Sequence, residues 1–476
     1  MRLARHLGHD GSSLRKTAVF IFISVLFFPI CSRAQSTLNF PHVLGPLQFD
    51  ATGFAVVNPG ATDATATFTL FGLDGTSLKT SNQGIGARGQ LARLASELFP
   101  ATFVAGWVQV TSPTTGLQGF WFGGDFANFG DGSEPAASAS ELVLPMITPS
   151  SELHVVNTSS TDVTVIMDLL NGDGFDLDRP FPQRIRANGF FQANIADIFR
   201  KADLSQATHM RLKCACAGNS FAAIVLAHDF IASPSLAVLN ALPASTSTQT
   251  IVFPHLVDGV QGSTNWKSVI SVANLSATSP NDVTIVFTAE NGTTRTVQRT
   301  LQPNGAVRET ARDMFGFTTG FQNGWVRISS SSFPITGFLA YAETVGAGVA
   351  VVSPQADAQT NLLFLQIVDL PPWWTGLALL NANRGTATVK LYAMNPDGSL
   401  IGSTEFPLQF GNKVARLLRE WIPATQNRTS DGGFIFVLSD LPLFGAELFF
   451  TRNMQVIGNI PSVRISPGSY TPPSAP

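Results

Sequence analysis

Apolar and polar residues alternate along most of this chain, in a frame that recurs four times. In the third copy the run Val269-Ile270-Ser271-Val272-Ala273-Asn274 ends in Asn. A short loop follows, then a second run, Val283-Thr284-Ile285-Val286-Phe287-Thr288, and the turn Asn291-Gly292. The same frame occupies residues 54–58 with Asp74-Gly75, 153–157 with Asp173-Gly174, and 377–381 with Asp397-Gly398. A period of two sends successive side chains to opposite faces, which predicts half-buried strands. The Asx-Gly pairs supply the positive φ that tight hairpins require. Later in each copy comes a short helical turn, at 94–99, 195–199, 311–315 and 418–422, followed by two closing strands.

About seven short strands at spacings of roughly 8–12 residues predict an antiparallel sandwich. The repeat period of about 100 residues is that of a whole small domain rather than of a solenoid. The predicted fold is therefore all-β: four tandem immunoglobulin-like antiparallel β-sandwich domains, each with one short helical turn. The copies span 35–138, 139–246, 247–356 and 357–465, after a leader at 1–34 and before a Pro/Ser tail at 466–476 that reads as disordered. Turn-rich linkers at 130–135, 245–250 and 353–360 separate them, as sandwiches on a string.

Phe40-Pro41-His42 and Phe253-Pro254-His255 open two of the copies. Trp266, and Trp373 or Trp374, precede the first long strand, and Asn ends it. In these features the chain resembles uncharacterised secreted bacterial proteins built from tandem immunoglobulin-like modules, over nearly all of residues 40–460. The second and fourth copies depart from the pattern, with Leu144-Pro145-Met146 and Phe364-Leu365-Gln366 in place of Phe-Pro-His. The resemblance implies a module type and an extracellular or periplasmic compartment, with no activity attached.

Composition sharpens the compartment. Arg2, Arg5, Arg15 and Lys16 precede an apolar run at 18–30, and Ser32-Arg33-Ala34 offers small residues for cleavage. This is the pattern of a signal peptide, and the run is shorter than the roughly 20 residues of a membrane span. Contact with a membrane is expected only through this segment, if it stays uncleaved. Removing residues 1–34 takes five basic residues and one acidic residue from the totals of 29 and 32, leaving 24 against 31 and a net charge of −7. Such a chain has no basic stripe for phosphate, so nucleic acid is not an expected partner. Charged residues are 13% of the whole, and Phe (37) far outnumbers Tyr (3), which points to aromatics used as core filler.

Candidate chemistry is sparse. Cys214 and Cys216, two apart on an alternating strand, would hold their Cα atoms about 6.5–7 Å apart, at the limit of disulfide reach. The four strand-end residues Asn58, Asn157, Asn274 and Asn381 read as loop-fixing side chains. The acidic loop 171–178 has Leu169 and Pro180 where a calcium loop needs carboxylates, so it reads as a turn. Trp107 and Trp325 read as core. No Gly-x-Ser-x-Gly elbow, His-Glu-x-x-His or phosphate-cradling loop is present, so no catalytic residues, metal ligands or cofactor are predicted. Trp373, Trp374 and Trp266 are the candidate ligand contacts. The expected role is a structural or adhesion-type interaction with a cell-envelope protein or polysaccharide. Carbohydrate binding through exposed Trp is the alternative.

Overall fold

The computed structural model describes residues 35–465, 470 and 472, except positions 103, 217, 219, 247, 427 and 429–431. The predicted leader and most of the predicted tail lie outside the described residues.

Each copy is two antiparallel layers, separate sheets in the first two copies and joined into one eight-stranded sheet in the third and fourth by the long strands Thr250–Gln261 and Phe434–Thr451. In the first, one sheet runs in the order Ser36–Leu44, Gly106–Ser112, Ala64–Phe71, Ser77–Ile85. The other runs Gln90–Leu94, Thr52–Val57, Gln118–Gly124, Gly130–Ser133. The helical turns are Ala95–Leu98, Ile195–Ile198, Ala311–Phe315 and Leu418–Trp421, where the pattern predicts them. Two begin with a carboxylate folded back on the chain: Glu97 Oε2 accepts from the Leu94 N–H at 2.7 Å, and Glu420 Oε2 from that of Leu417 at 3.1 Å.

The two sheets of a copy differ in burial, and the difference sets the architecture. Ala64–Phe71, in the outer sheet, alternates between buried and more exposed positions. Ile335–Glu343, in the inner sheet, is buried at all nine positions, and Phe221–His228 at all but the last. Burial without alternation means that both faces are covered. The second cover is the preceding copy. Ile224, Leu226, Leu236 and Val238 of the second copy join the core of the first. Val269, Phe338, Ala340 and Val351 of the third join the core of the second. Leu448, Phe450 and Ile457 of the fourth pack on the third. Val57, Phe120 and Phe122 of the first complete the core of the fourth. The circuit is closed, and the described residues form one compact unit. The sandwiches are thus joined in a ring, not spaced along a string.

The ring centre is built from an eighth strand that the sequence pattern misses. Gly130–Ser133, Leu236–Asn240, Val349–Val352 and Ile457–Pro461 each touch the next in cyclic order. The first of these lies in a Gly-Asp-Gly-Ser stretch predicted to be a linker. Its Asp131 is fully buried, and its Oδ2 accepts from the Val238 N–H at 2.8 Å. The N–H groups of Gly132 in its own copy, of Val351 in the third and of Asn459 in the fourth also favour its ionised form. Burial outweighs them and pushes the carboxyl well above the usual range.

Two further expectations change. The strand ends at Cys214, so alternation does not extend to Cys216; the Cα atoms are 5.2 Å apart and the pair is disulfide-bonded. In the tail, Tyr470 is buried with its ring 4.6 Å from that of Phe436. An aromatic ring offers the apolar area that Pro and Ser lack.

Candidate ligand groove between the first and fourth repeats

The strand-end Asn residues do the same work four times. Asn58 Nδ2 donates to the Thr62 and Gly86 carbonyls, and its Oδ1 accepts from the Gly60 N–H at 3.0 Å. Asn157, Asn274 and Asn381 repeat this with the N–H groups of Ser159, Ser276 and Asn383. Each is buried and satisfied by its own loops, which leaves nothing for a ligand. In the acidic loop, Asn171 Oδ1 accepts from the Asp173 and Phe175 N–H groups. Among the described residues no group of three or more His, Cys, Asp or Glu could hold a metal ion.

Polar side chains also fasten the seams between copies. Trp107 is buried, but at the seam with the second copy, where its indole N–H donates to the Asn188 carbonyl at 2.8 Å. Trp325 reaches the Gly411 carbonyl in the same way at 3.3 Å. At the second seam His209 Nε2 lies 2.7 Å from the Asn304 carbonyl. A carbonyl only accepts, so Nε2 carries the proton and Nδ1 accepts from Thr208 Oγ1 at 2.7 Å. Burial pulls the His209 pKa down to about 4, which keeps the ring in this neutral form. At the closing seam Gln90 spans the joint: Nε2 donates to the Leu365 and Gly433 carbonyls, and Oε1 accepts from the Gly433 N–H at 2.7 Å.

His42, from one of the opening motifs, is stacked between partners. Its ring lies 4.3 Å from that of Trp121 and 5.5 Å from that of His154, nearly parallel to both. Burial first, and His154 second, lower its pKa well below the usual value. His154 Nδ1 accepts from the Val43 N–H at 3.0 Å. The group serves the seam between the first two copies.

The three candidate Trp residues do not form one surface. Trp373 and Trp374 are consecutive on the strand Trp373–Leu380 and so face opposite ways. Trp374 packs edge-on against Phe450 at 6.0 Å, beneath the Arg419 guanidinium. Trp266 packs near Tyr341 with its indole N–H on Thr264 Oγ1 at 3.0 Å, lining the recess between the third and fourth copies. Trp373 alone enters the groove between the first and fourth copies.

That groove has a volume of about 590 Å³. Its wall is aromatic: the Trp373 and Phe449 rings lie 5.8 Å apart, Phe449 meets Phe122 edge-to-face at 4.7 Å, and Phe126 stacks on Phe122 at 5.5 Å. Arg93, Glu97 and Gln366 supply polar groups around it. Along one side runs Gln90–Leu94, the terminal strand of its sheet. The groove can hold apolar or ring-shaped groups against its wall, with a cation and an anion beside them. Its phenylalanines were legible in sequence only as filler, since Phe120-Trp121-Phe122 reads as a buried strand. The closing of the ring turns their outer face into a groove wall.

No protein-family model matches the chain, and no curated protein matches it. Among solved structures it is similar to a tetra-tandem repeat in the extending region of a large adhesion protein. The two share 13% identity over 91% of this chain and 99% of that one, with a TM-score of 0.11. Among the described residues no helix is long and apolar enough to cross a membrane.

Proposed function

We propose that this chain is a non-enzymatic, adhesion-type interaction protein, secreted or at the cell surface, which holds a protein segment of the cell envelope in the groove between its first and fourth repeats. The observation that carries the reading is an aromatic wall running beside the terminal strand Gln90–Leu94. An apolar segment can seat its side chains against this wall, which is where its anchors would lie, because the strand's own edge is taken: the Gln90 N–H donates to the Pro396 carbonyl and the Leu94 N–H to Glu97. Arg93 and Glu97 would set its orientation.

Polysaccharide is the second reading, favoured by Trp373, whose flat face in the groove suits the apolar face of a sugar ring. Both readings are tested with the full chain immobilised and challenged with solubilised envelope proteins and, separately, with purified envelope polysaccharides. Trp373→Ala and Phe126→Ala should each lower retention of the bound class by at least about tenfold, the loss typical of an interface anchor. Undiminished retention by both variants would remove the groove from the argument. Retention of polysaccharide alone would select the second reading.

A further inference from the structure

Three of the four seams close by docking a hairpin. Gly75, at φ +82°, lies so close to the second copy that a Cβ there would sit 1.7 Å from the Ala187 carbonyl oxygen. Gly174 stands in the same way 2.1 Å from the Pro303 carbonyl, and Gly398 2.6 Å from that of Arg88. The third seam breaks the pattern: a Cβ on Gly292 would meet nothing within 4 Å. A polar cluster fills the role instead.

Lys413, on the strand Lys413–Leu417, has a side chain with 0% exposure. Its counterparts in the pairing register are Gln90, Phe190 and Ala306, so the lysine belongs to this seam alone. Nζ lies 2.9 Å from His255 Nδ1 and 3.6 Å from Glu290 Oε1, and it donates to Asn323 Oδ1. Asn323 Nδ2 in turn donates to Glu290 Oε1 at 2.8 Å. The amine thus meets an imidazole, a carboxamide and a carboxylate, the last two also bonded to each other, with the amine and the carboxamide on different repeats.

We propose that Lys413 and Asn323 join in an isopeptide cross-link that closes the seam between the third and fourth repeats covalently. Burial holds Lys413 down to about 8, so the free amine is accessible near neutral pH. Burial first, and Lys413 second, lower the His255 pKa well below its usual value, which keeps the ring neutral and its Nδ1 able to accept a hydrogen bond from Nζ. The free amine present above about 8 attacks Cγ of Asn323, while His255 Nδ1 accepts a hydrogen bond from Nζ and orients it. One proton passes from Nζ to the Glu290 carboxylate and from there to Nδ2. The Cγ–Nδ2 bond breaks and ammonia leaves. The products are one secondary amide and one ammonia, with no oxidant, metal or cofactor consumed. The inference needs no external partner and stands apart from the groove.

Intact-mass measurement of the denatured full chain, followed by peptide mapping, tests it. The folded wild type, incubated above the lysine's value of about 8, should be lighter by one ammonia and yield a branched peptide joining Lys413 to Asn323. Glu290→Gln alters a half-exposed side chain. It should leave the circular dichroism unchanged, keep the full sequence mass and restore an amine-reactive Lys413. Recovery of Lys413 as a free amine from folded wild type would overturn the proposal. So would an ammonia deficit that maps to Asn291-Gly292 or to an N-terminal Gln, or an equally cross-linked Glu290→Gln variant.

Discussion

If the copies form a ring, a side chain at one seam should matter to the whole chain. Trp107→Ala tests this. Trp107 is fully buried among Val43, Ala136, Val156, Phe190 and Ala222, and the last three belong to or border the second copy. Truncating a buried Trp costs about 3–5 kcal/mol from lost transfer energy and the cavity left behind. About 1 kcal/mol of that is the indole hydrogen bond to Asn188, whose carbonyl loses its partner. Trp107→Phe keeps most of the apolar contact and loses the bond, so it should cost roughly 1–2 kcal/mol. The assay is urea unfolding followed by near-ultraviolet circular dichroism, with hydrogen exchange resolved by peptide. A ring predicts loss of protection on both sides of the seam, in 106–112 and in 185–190, and a lower midpoint for the chain as a whole. Independent modules predict weakening of the first copy only. Unchanged exchange in the second copy, or a cost for Trp107→Ala under about 1 kcal/mol, would show that the first seam does not join the two copies.

Two other expectations follow from the seams and the interior. Glu447 is fully buried, neither carboxylate oxygen has a hydrogen-bond partner among the described residues, and burial raises its pKa well above the usual value. Folding therefore favours the protonated form: its stabilisation is complete below the unfolded carboxyl range and is lost as pH rises toward the raised value. Glu447→Gln should flatten this decline, and urea titrations from acid to neutral pH that give parallel curves for both proteins would contradict it. Gly75→Ala and Gly292→Ala both place a Cβ at φ +82°, so each carries a strain of about 1–2 kcal/mol. Only Gly75→Ala also meets a neighbouring carbonyl, so its loss in stability should be clearly the larger; equal losses would show that hairpin docking contributes nothing.

The sandwich was legible because its signals are local. Alternation, Asx-Gly turns and the four strand-end Asn residues depend on neighbours within one copy, and the structure places those elements where the pattern does. The ring was not, because closure depends on which face of a strand meets another copy. Val349–Val352 and Leu236–Asn240 are apolar enough to be strands, yet the repeat pattern ends each copy with two closing strands and leaves them unassigned. Gly130-Asp131-Gly132-Ser133 carries every mark of a loop and is a strand only because three partners surround it. Of the groove, Trp373 was visible in sequence and Phe122, Phe126 and Phe449 were not. The Lys413 cluster draws on four separated segments, a combination that no short motif encodes.

Closure also fixes how many copies there can be. An open array tolerates gain or loss of a unit, because every internal joint is alike and only the end units differ. Here the outward face of each inner sheet is covered by one particular neighbour, so excising a unit would leave two unmatched apolar faces that must meet at a new angle. Descendants of this chain should therefore vary in their surface loops while holding the count at four.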